Sequence, residues 1–128
     1  MNITRNPVGW FEIHVEDMDR AKEFYEATLG HTLQSLSDPN GGDIEMWAFP
    51  MVEGGGGAAG ALAKMDGKDP GTGGTIIYFS CEDCGETAAK AVPAGGKIHL
   101  EKMSIGGYGF ISLVYDTEGN MIGLHSMK

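Results

Sequence analysis

The sequence predicts an α+β fold built from two βαβββ modules. Three observations carry that prediction. The stretch 8–30, VGWFEIHVEDMDRAKEFYEATLG, reads as strand, tight turn, amphipathic helix and stop. The same order of elements returns in the second half of the chain. Between the halves lies DGKDPGTGG (66–74), a polar stretch with four glycines that has the composition of a linker.

Within the first stretch Trp10, Glu12 and His14 alternate with Phe11, Ile13 and Val15, a period of two that makes a strand. Asp17 stands where a helix N-cap is needed, and Ala21, Phe24, Tyr25, Thr28 and Leu29 recur at helical spacing up to Gly30. Strands follow at 31–37 and 43–49, joined by a Pro39–Gly42 turn. Gly54 to Gly60 is dominated by a flexible loop, and 58–65 is a short strand despite its alanines. The second module opens with a continuous apolar strand at 75–80. A helix follows over 83–92, stopped by Pro93 and Gly95–Gly96. Strands at 97–101, 108–115 and 121–126 complete it, with a turn at 116–120. An offset of 66 lays Asp17 on Asp83, Gly30 on Gly96 and 43–49 on 109–115, and an offset of 62 lays 58–65 on 120–127. Agreement across four elements makes this an internal repeat, with modules at 8–65 and 75–128 of one domain spanning 1–128.

With 128 residues the chain suffices for one domain, burying roughly two-thirds of its unfolded surface. A net charge of −9 argues against nucleic acid and anionic membranes as partners. No apolar run reaches the roughly 18 residues of a transmembrane helix. The first ten residues have no apolar signal region, so a cytoplasmic location is expected and the Asn2–Ile3–Thr4 sequon is given no role. Two cysteines, Cys81 and Cys84, fit a reducing compartment better than a disulfide scaffold.

VEDMDRAKEFYEATLG (15–30), AAKAVPAGGK (88–97) and DTEGNMIGL (116–124) together resemble the vicinal oxygen chelate superfamily, which holds glyoxalases, bleomycin-resistance proteins and extradiol dioxygenases. Within it the chain is most similar to a branch of small bacterial glyoxalase-like proteins. The resemblance covers nearly the whole chain and implies pseudo-twofold paired modules curling into an open, cup-like mixed sheet, often completed in a homodimer. It also implies four metal-ligand positions, which fall on Trp10, Ala61, Ile76 and Gly123. None of these side chains offers a nitrogen or oxygen donor suited to a divalent ion. The expectation is therefore the fold without the family metal, and no cofactor.

If the Trp10 side of the first strand faces the cup, then Trp10, Glu12, His14, Tyr78, Ser80 and His125 line it: an aromatic floor with a few polar groups, as small-molecule sites are built. Ile76, Trp47 and Tyr108 complete the candidate ligand-binding set, although the parity of the 43–49 strand leaves open whether Glu45 and Trp47 or Met46 and Ala48 see the cup. Glu12 and His14 are the candidate catalytic pair, for proton transfer or as shifted metal ligands. The competing reading is a satisfied polar network at a module or subunit interface. Cys81 and Cys84 form a CxxC at a strand–helix junction, but buried structural thiols are the simpler reading. Gly55 to Gly60 matches GxGxxG formally, yet no long helix follows it, so it is a loop over the cup rather than a dinucleotide fingerprint. The function expected is binding of a small organic molecule. The alternatives are a lyase, isomerase or dioxygenase using Glu12 and His14, and an inert structural module.

Overall fold

A computed structural model describes residues 8, 10–37, 42–73 and 75–128. The Asn2–Ile3–Thr4 sequon and most of the 39–42 turn lie outside them. The elements run β1 (Glu12–His14), α1 (Met18–Leu29), β2 (Gln34–Leu36), β3 (Glu45–Ala48), β4 (Ala61–Lys64), β5 (Ile77–Ser80), α2 (Cys84–Ala91), β6 (Lys97–Ser104), β7 (Phe110–Tyr115) and β8 (Met121–Ser126), with a 3-10 turn at Gly106–Tyr108. This is the βαβββ order twice. The strands form two four-stranded sheets, β1-β4-β3-β2 and β5-β8-β7-β6, each with its first and last strands parallel and the rest antiparallel.

Local chemistry accounts for the helices. The Asp17 carboxylate accepts from the Arg20 amide at 3.1 Å, and Gly30 ends α1 in the left-handed region at φ 77°. The Asp83 carboxylate caps α2 by accepting from Gly85 N. α2 is shorter, 8 residues against 12, because Pro93 stops it. Gly96, laid on Gly30 by the repeat, lacks its left-handed φ, although its amide still donates to the Ala91 carbonyl at the end of α2 at 2.8 Å. A Cβ on Gly96 would come within 2.4 Å of the Tyr115 carbonyl oxygen and 2.6 Å of the Phe24 ring, so glycine is required by close packing. The alanines of β4 are strand because β4 is a central strand, paired with β1 on one side and β3 on the other, with Ala61, Leu62 and Ala63 fully buried; tertiary packing overrides their helix preference.

The registers test the repeat. Glu12 pairs with Ala61, and Tyr78 with Gly123, as the offsets of 66 and 62 require. The third strands do not follow. Met46 pairs with Ala63 and Ile111 with His125, so β3 and β7 correspond at an offset of 65, not 66. One residue of slip exchanges the two faces of a strand. Trp47 therefore shares the face of Leu62, its partner, and Ile13, on the helix side. Its indole lies beneath the Lys22 ammonium of α1, 3.2 Å from the ring centroid, a cation–π contact. This corrects the placement of Trp47 in the ligand-binding set; Met46 and Ala48 take the other face.

One hydrophobic cluster runs through both modules. α1 buries Met18, Ala21, Phe24, Tyr25 and Thr28, α2 buries Cys84, Thr87, Ala88 and Ala91, and the helices pack against each other on the same side of both sheets. The two modules meet beside β1 and β5 through aromatic rings: Phe11 to Phe79 at 5.8 Å, Phe49 to Phe79 at 5.2 Å and Tyr25 to Phe79 at 6.0 Å between centroids. Each such pair adds roughly 0.5–1.5 kcal/mol to its burial.

The turn Asp116 to Asn120 clasps the second module to the first. Asp116 Oδ1 accepts from the Glu118 and Asn120 amides, and its Oδ2 accepts from the Tyr25 hydroxyl at 2.7 Å. Asn120 Nδ2 donates to the His14 carbonyl at 3.0 Å, while its Oδ1 accepts from Gly71 N in the linker. Glu118 accepts from the amides of Glu16 and Asp17 and from Arg20 Nε at 2.6 Å. Burial pushes the Glu118 carboxyl up, but the Arg20 hydrogen bond and the two amides outweigh it and hold the group below its ordinary value. Burial, then the charge of Asp116, raises the Tyr25 phenol well above its usual value.

Candidate functional site

With both helices on one side, the opposite face of each sheet carries the candidate side chains. The Trp10 indole N–H donates to Glu12 Oε2 at 3.3 Å, so Trp10 continues the Glu12–His14 side of β1. Across β4 that side bears Ala61 and Ala63. In the second sheet Tyr78 pairs with Gly123 and Ser80 with His125 on one common face. The face is open: Trp10 is 37% exposed and Tyr78 47%. Ile76 is exposed beside them.

The side chains do not converge on one point. They divide between two clefts where β1 and β5 run side by side. The first, about 280 Å³, is lined by Glu12, His14, Asp69, Thr75, Asn120 and Met121 among others. The second, about 250 Å³, is lined by Phe11, His31, Tyr78, Ser80 and the glycine loop 56–60. Trp10, Ile76 and His125 line neither. His125 is engaged elsewhere: its Nε2 lies 2.7 Å from the Tyr108 carbonyl, to which it donates. The Tyr108 side chain, on the 3-10 turn, is 79% exposed and joins neither cleft. His31 and Asn120, absent from the sequence-based set, enter through tertiary structure. Asn120 was legible as part of the 116–124 motif, whereas no pattern marked His31.

Glu12 and His14 share a face but not a hydrogen bond, since the Trp10 indole takes the carboxylate and His14 Nδ1 is buried without a partner. The Tyr78 ring packs against the backbone of Gly123, where a Cβ would come within 2.3 Å of it. Phe11 lies in the same way on Gly60, where the distance would be 2.6 Å. Cys84 is buried at the start of α2, its amide donating to Ser126 Oγ. Burial raises the Cys81 thiol, which makes it a poor nucleophile.

The residues at the family's metal positions do not fit a metal. Trp10, Ala61, Ile76 and Gly123 present no donor atom, and Tyr78 occupies the space any side chain at 123 would need. Among the described residues no group of three or more His, Cys, Asp or Glu could hold a metal ion.

Comparison with known proteins agrees with this architecture. The family model of the Glyoxalase/Bleomycin resistance protein/Dioxygenase superfamily matches residues 8–124. CFP32 of Mycobacterium tuberculosis, whose name assigns it provisionally as a glyoxylase, is 31% identical over 111 residues, which are 86% of this chain and 40% of that protein. Glyoxalase I of Zea mays superposes with a TM-score of 0.71 at 18% identity, covering 99% of this chain and 48% of the maize chain. The chain thus spans less than half the length of either. TnmS3, an antibiotic binding protein from Streptomyces sp. CB03234, superposes with a TM-score of 0.69 at 22% identity and is covered, like this chain, to 98%. At these identities the structures speak for the fold, and the family match speaks for the lineage: this chain belongs to the glyoxalase/bleomycin resistance protein/dioxygenase superfamily.

Proposed function

We propose that this protein binds a small organic molecule on the open face of its two sheets and does so without the metal of its family. The observation that carries the reading is the one-sided placement of the helices. It leaves Glu12, His14, Tyr78 and Ser80 around two clefts, and Trp10 exposed on the same face, rather than under a helix. Clefts of mixed apolar and polar lining are what small ligands occupy. TnmS3, covered to 98% like this chain, is described as an antibiotic binding protein, and binding alone needs no reacting group. A second copy of the chain closing over the same face, in the cytoplasm, is part of the proposal.

A second reading rests on His14, which lines the first cleft and whose Nδ1 is buried without a hydrogen-bond partner. A substrate in the first cleft would meet an imidazole and, on the same face, the Glu12 carboxyl, the pair that proton transfer in a lyase or isomerase would use.

Thermal denaturation with a panel of polycyclic drugs, aldehyde–thiol adducts and acyl thioesters tests the binding reading. A ligand of the folded state at about 100 times its Kd adds roughly 2.7 kcal/mol and raises Tm by several degrees. No shift with any class at millimolar concentration would sink it. Elemental analysis of untagged protein is expected to show well under one equivalent of transition metal per chain. Turnover abolished by both His14→Ala and Glu12→Gln would favour the second reading.

A further inference from the structure

The internal repeat supplies its own control. Each cleft is built from one end of β1, the opposite end of β5, and the loop that leads into the last strand of one module. At the first cleft that loop is the clasp, whose Asp116, Glu118 and Asn120 side chains are committed to Tyr25, Arg20 and the His14 carbonyl. At the second cleft the corresponding loop is Gly54 to Gly60, five of whose seven residues have no side chain to commit. Gly54, Gly56 and Gly57 take φ of 71°, 74° and 67°, which only glycine adopts freely. The cap of α2 beside it, Asp83, is held instead by Lys102 at 3.0 Å. One end of the seam is tied by side chains; the other is roofed by bare backbone.

The floor at that other end is aromatic and held in place. Gly123 lets the Tyr78 ring pack against the strand backbone while the residue stays 47% exposed, and Gly60 gives the half-buried Phe11 ring the same close approach. Phe49 and Phe79 stand behind, 6.0 and 5.8 Å from Phe11. Tyr78, Ser80 and His31 line the cleft, and no hydrogen bond among the described residues uses their side chains. Among the described residues no Lys, Arg, Asp or Glu lines the cleft. Its 250 Å³ falls just below the roughly 300 Å³ at which pockets for drug-sized ligands begin.

From this we infer that the cleft beneath the glycine loop is the ligand site, and that it takes an uncharged, planar aromatic molecule of one or two rings bearing a hydroxyl or carbonyl. The ring stacks on Tyr78, its polar group meets Ser80 or His31, and the glycine backbone closes over it. The inference rests on the binding reading above and moves the ligand from the Glu12–His14 end of the seam to the Tyr78–Ser80 end.

The test uses the full chain with 2-naphthol as probe, followed by isothermal titration calorimetry. Ala59→Trp, which fills the second cleft, and Tyr78→Leu, which removes the stacking ring at an exposed position, are expected to weaken binding at least tenfold. Thr75→Trp, which fills the first cleft, is expected to change it less than twofold. Unchanged thermal denaturation of each variant establishes that the fold is kept. Binding weakened by Thr75→Trp and untouched by Tyr78→Leu would overturn the inference and leave the binding reading standing. Absence of 2-naphthol binding at millimolar concentration, with a hit elsewhere in the ligand panel, would overturn it equally. Silence across the whole panel would overturn both.

Discussion

Gly123 shows how much a single missing Cβ decides. The family pattern places a ligand side chain there; in this chain the ring of Tyr78 lies over the bare Cα instead. Gly123→Ala is expected to drive the ring outward and cost about 1–3 kcal/mol by overpacking, read as a lower denaturation midpoint with an unchanged m-value. Glu118 is the other telling residue. Its side chain is out of solvent and accepts from Arg20 and two amides. Glu118→Ala leaves those amides and the guanidinium without their acceptor and is expected to cost about 2–3 kcal/mol. Because the folded carboxyl titrates below its ordinary value, its stabilisation is present above the unfolded value of about 4.3 and is lost as pH falls through the folded one. The Tm gap between wild type and Glu118→Gln should therefore be largest near neutrality and close progressively below about pH 4. A gap independent of pH would show that the carboxylate charge is not what matters.

Among the elements, the two loops that lead into β4 and β8 differ most between modules. The turn 116–120 is polar, partly buried and hydrogen-bonded throughout, so it behaves as part of the core. Asn120→Ala removes donors to the His14 carbonyl and Asp116 and the acceptor of Gly71 N, for an expected loss of about 2–4 kcal/mol. The glycine loop is the opposite case, exposed, with Gly55 N to Val52 O at 3.2 Å as its internal backbone bond. Deleting Gly54 and Gly55 is expected to move stability by less than about 1 kcal/mol, since loop length enters closure entropy only logarithmically. Urea denaturation of the two variants side by side checks both statements. β3 carries the lesson in register: its apolar residues occupy both faces, so alternation could not say which face met the helix, and one residue of slip put Trp47 under Lys22.

At the scale of the whole molecule, the modules form one cooperative unit because their core is shared. Phe79 of the second module sits among Phe11, Tyr25 and Phe49 of the first, and Asp116 holds Tyr25 across the junction. A fragment of residues 75–128 is expected to be unfolded by circular dichroism. It would expose those groups, and a chain of fewer than about 60 residues has little surplus burial to spare. A folded fragment with a cooperative transition would contradict the shared core. The open face bears Trp10, Leu36, Ile76, Tyr78 and Met103, more exposed apolar side chains than isolated surface residues require. The proposed second copy is expected to show as a dimer in sedimentation velocity, weakened by Met103→Lys.

The element order, both helix caps, the repeat and the lineage were legible in the residues alone. Each depends on local signals: a period of two or 3.6, an aspartate before a helix, a glycine or proline after it. The absence of donors at the metal positions was equally legible, because identity settles it. What only the tertiary structure decided was company. Of the six residues expected to line one cup, Glu12 and His14 fall in one cleft and Tyr78 and Ser80 in another, Trp10 lines neither, His125 is occupied by the Tyr108 carbonyl, and Trp47 faces a helix. These outcomes follow from the register of β3 on β4 and from how the edges of β1 and β5 meet. Both are contacts between distant segments, and local periodicity carries no term for them.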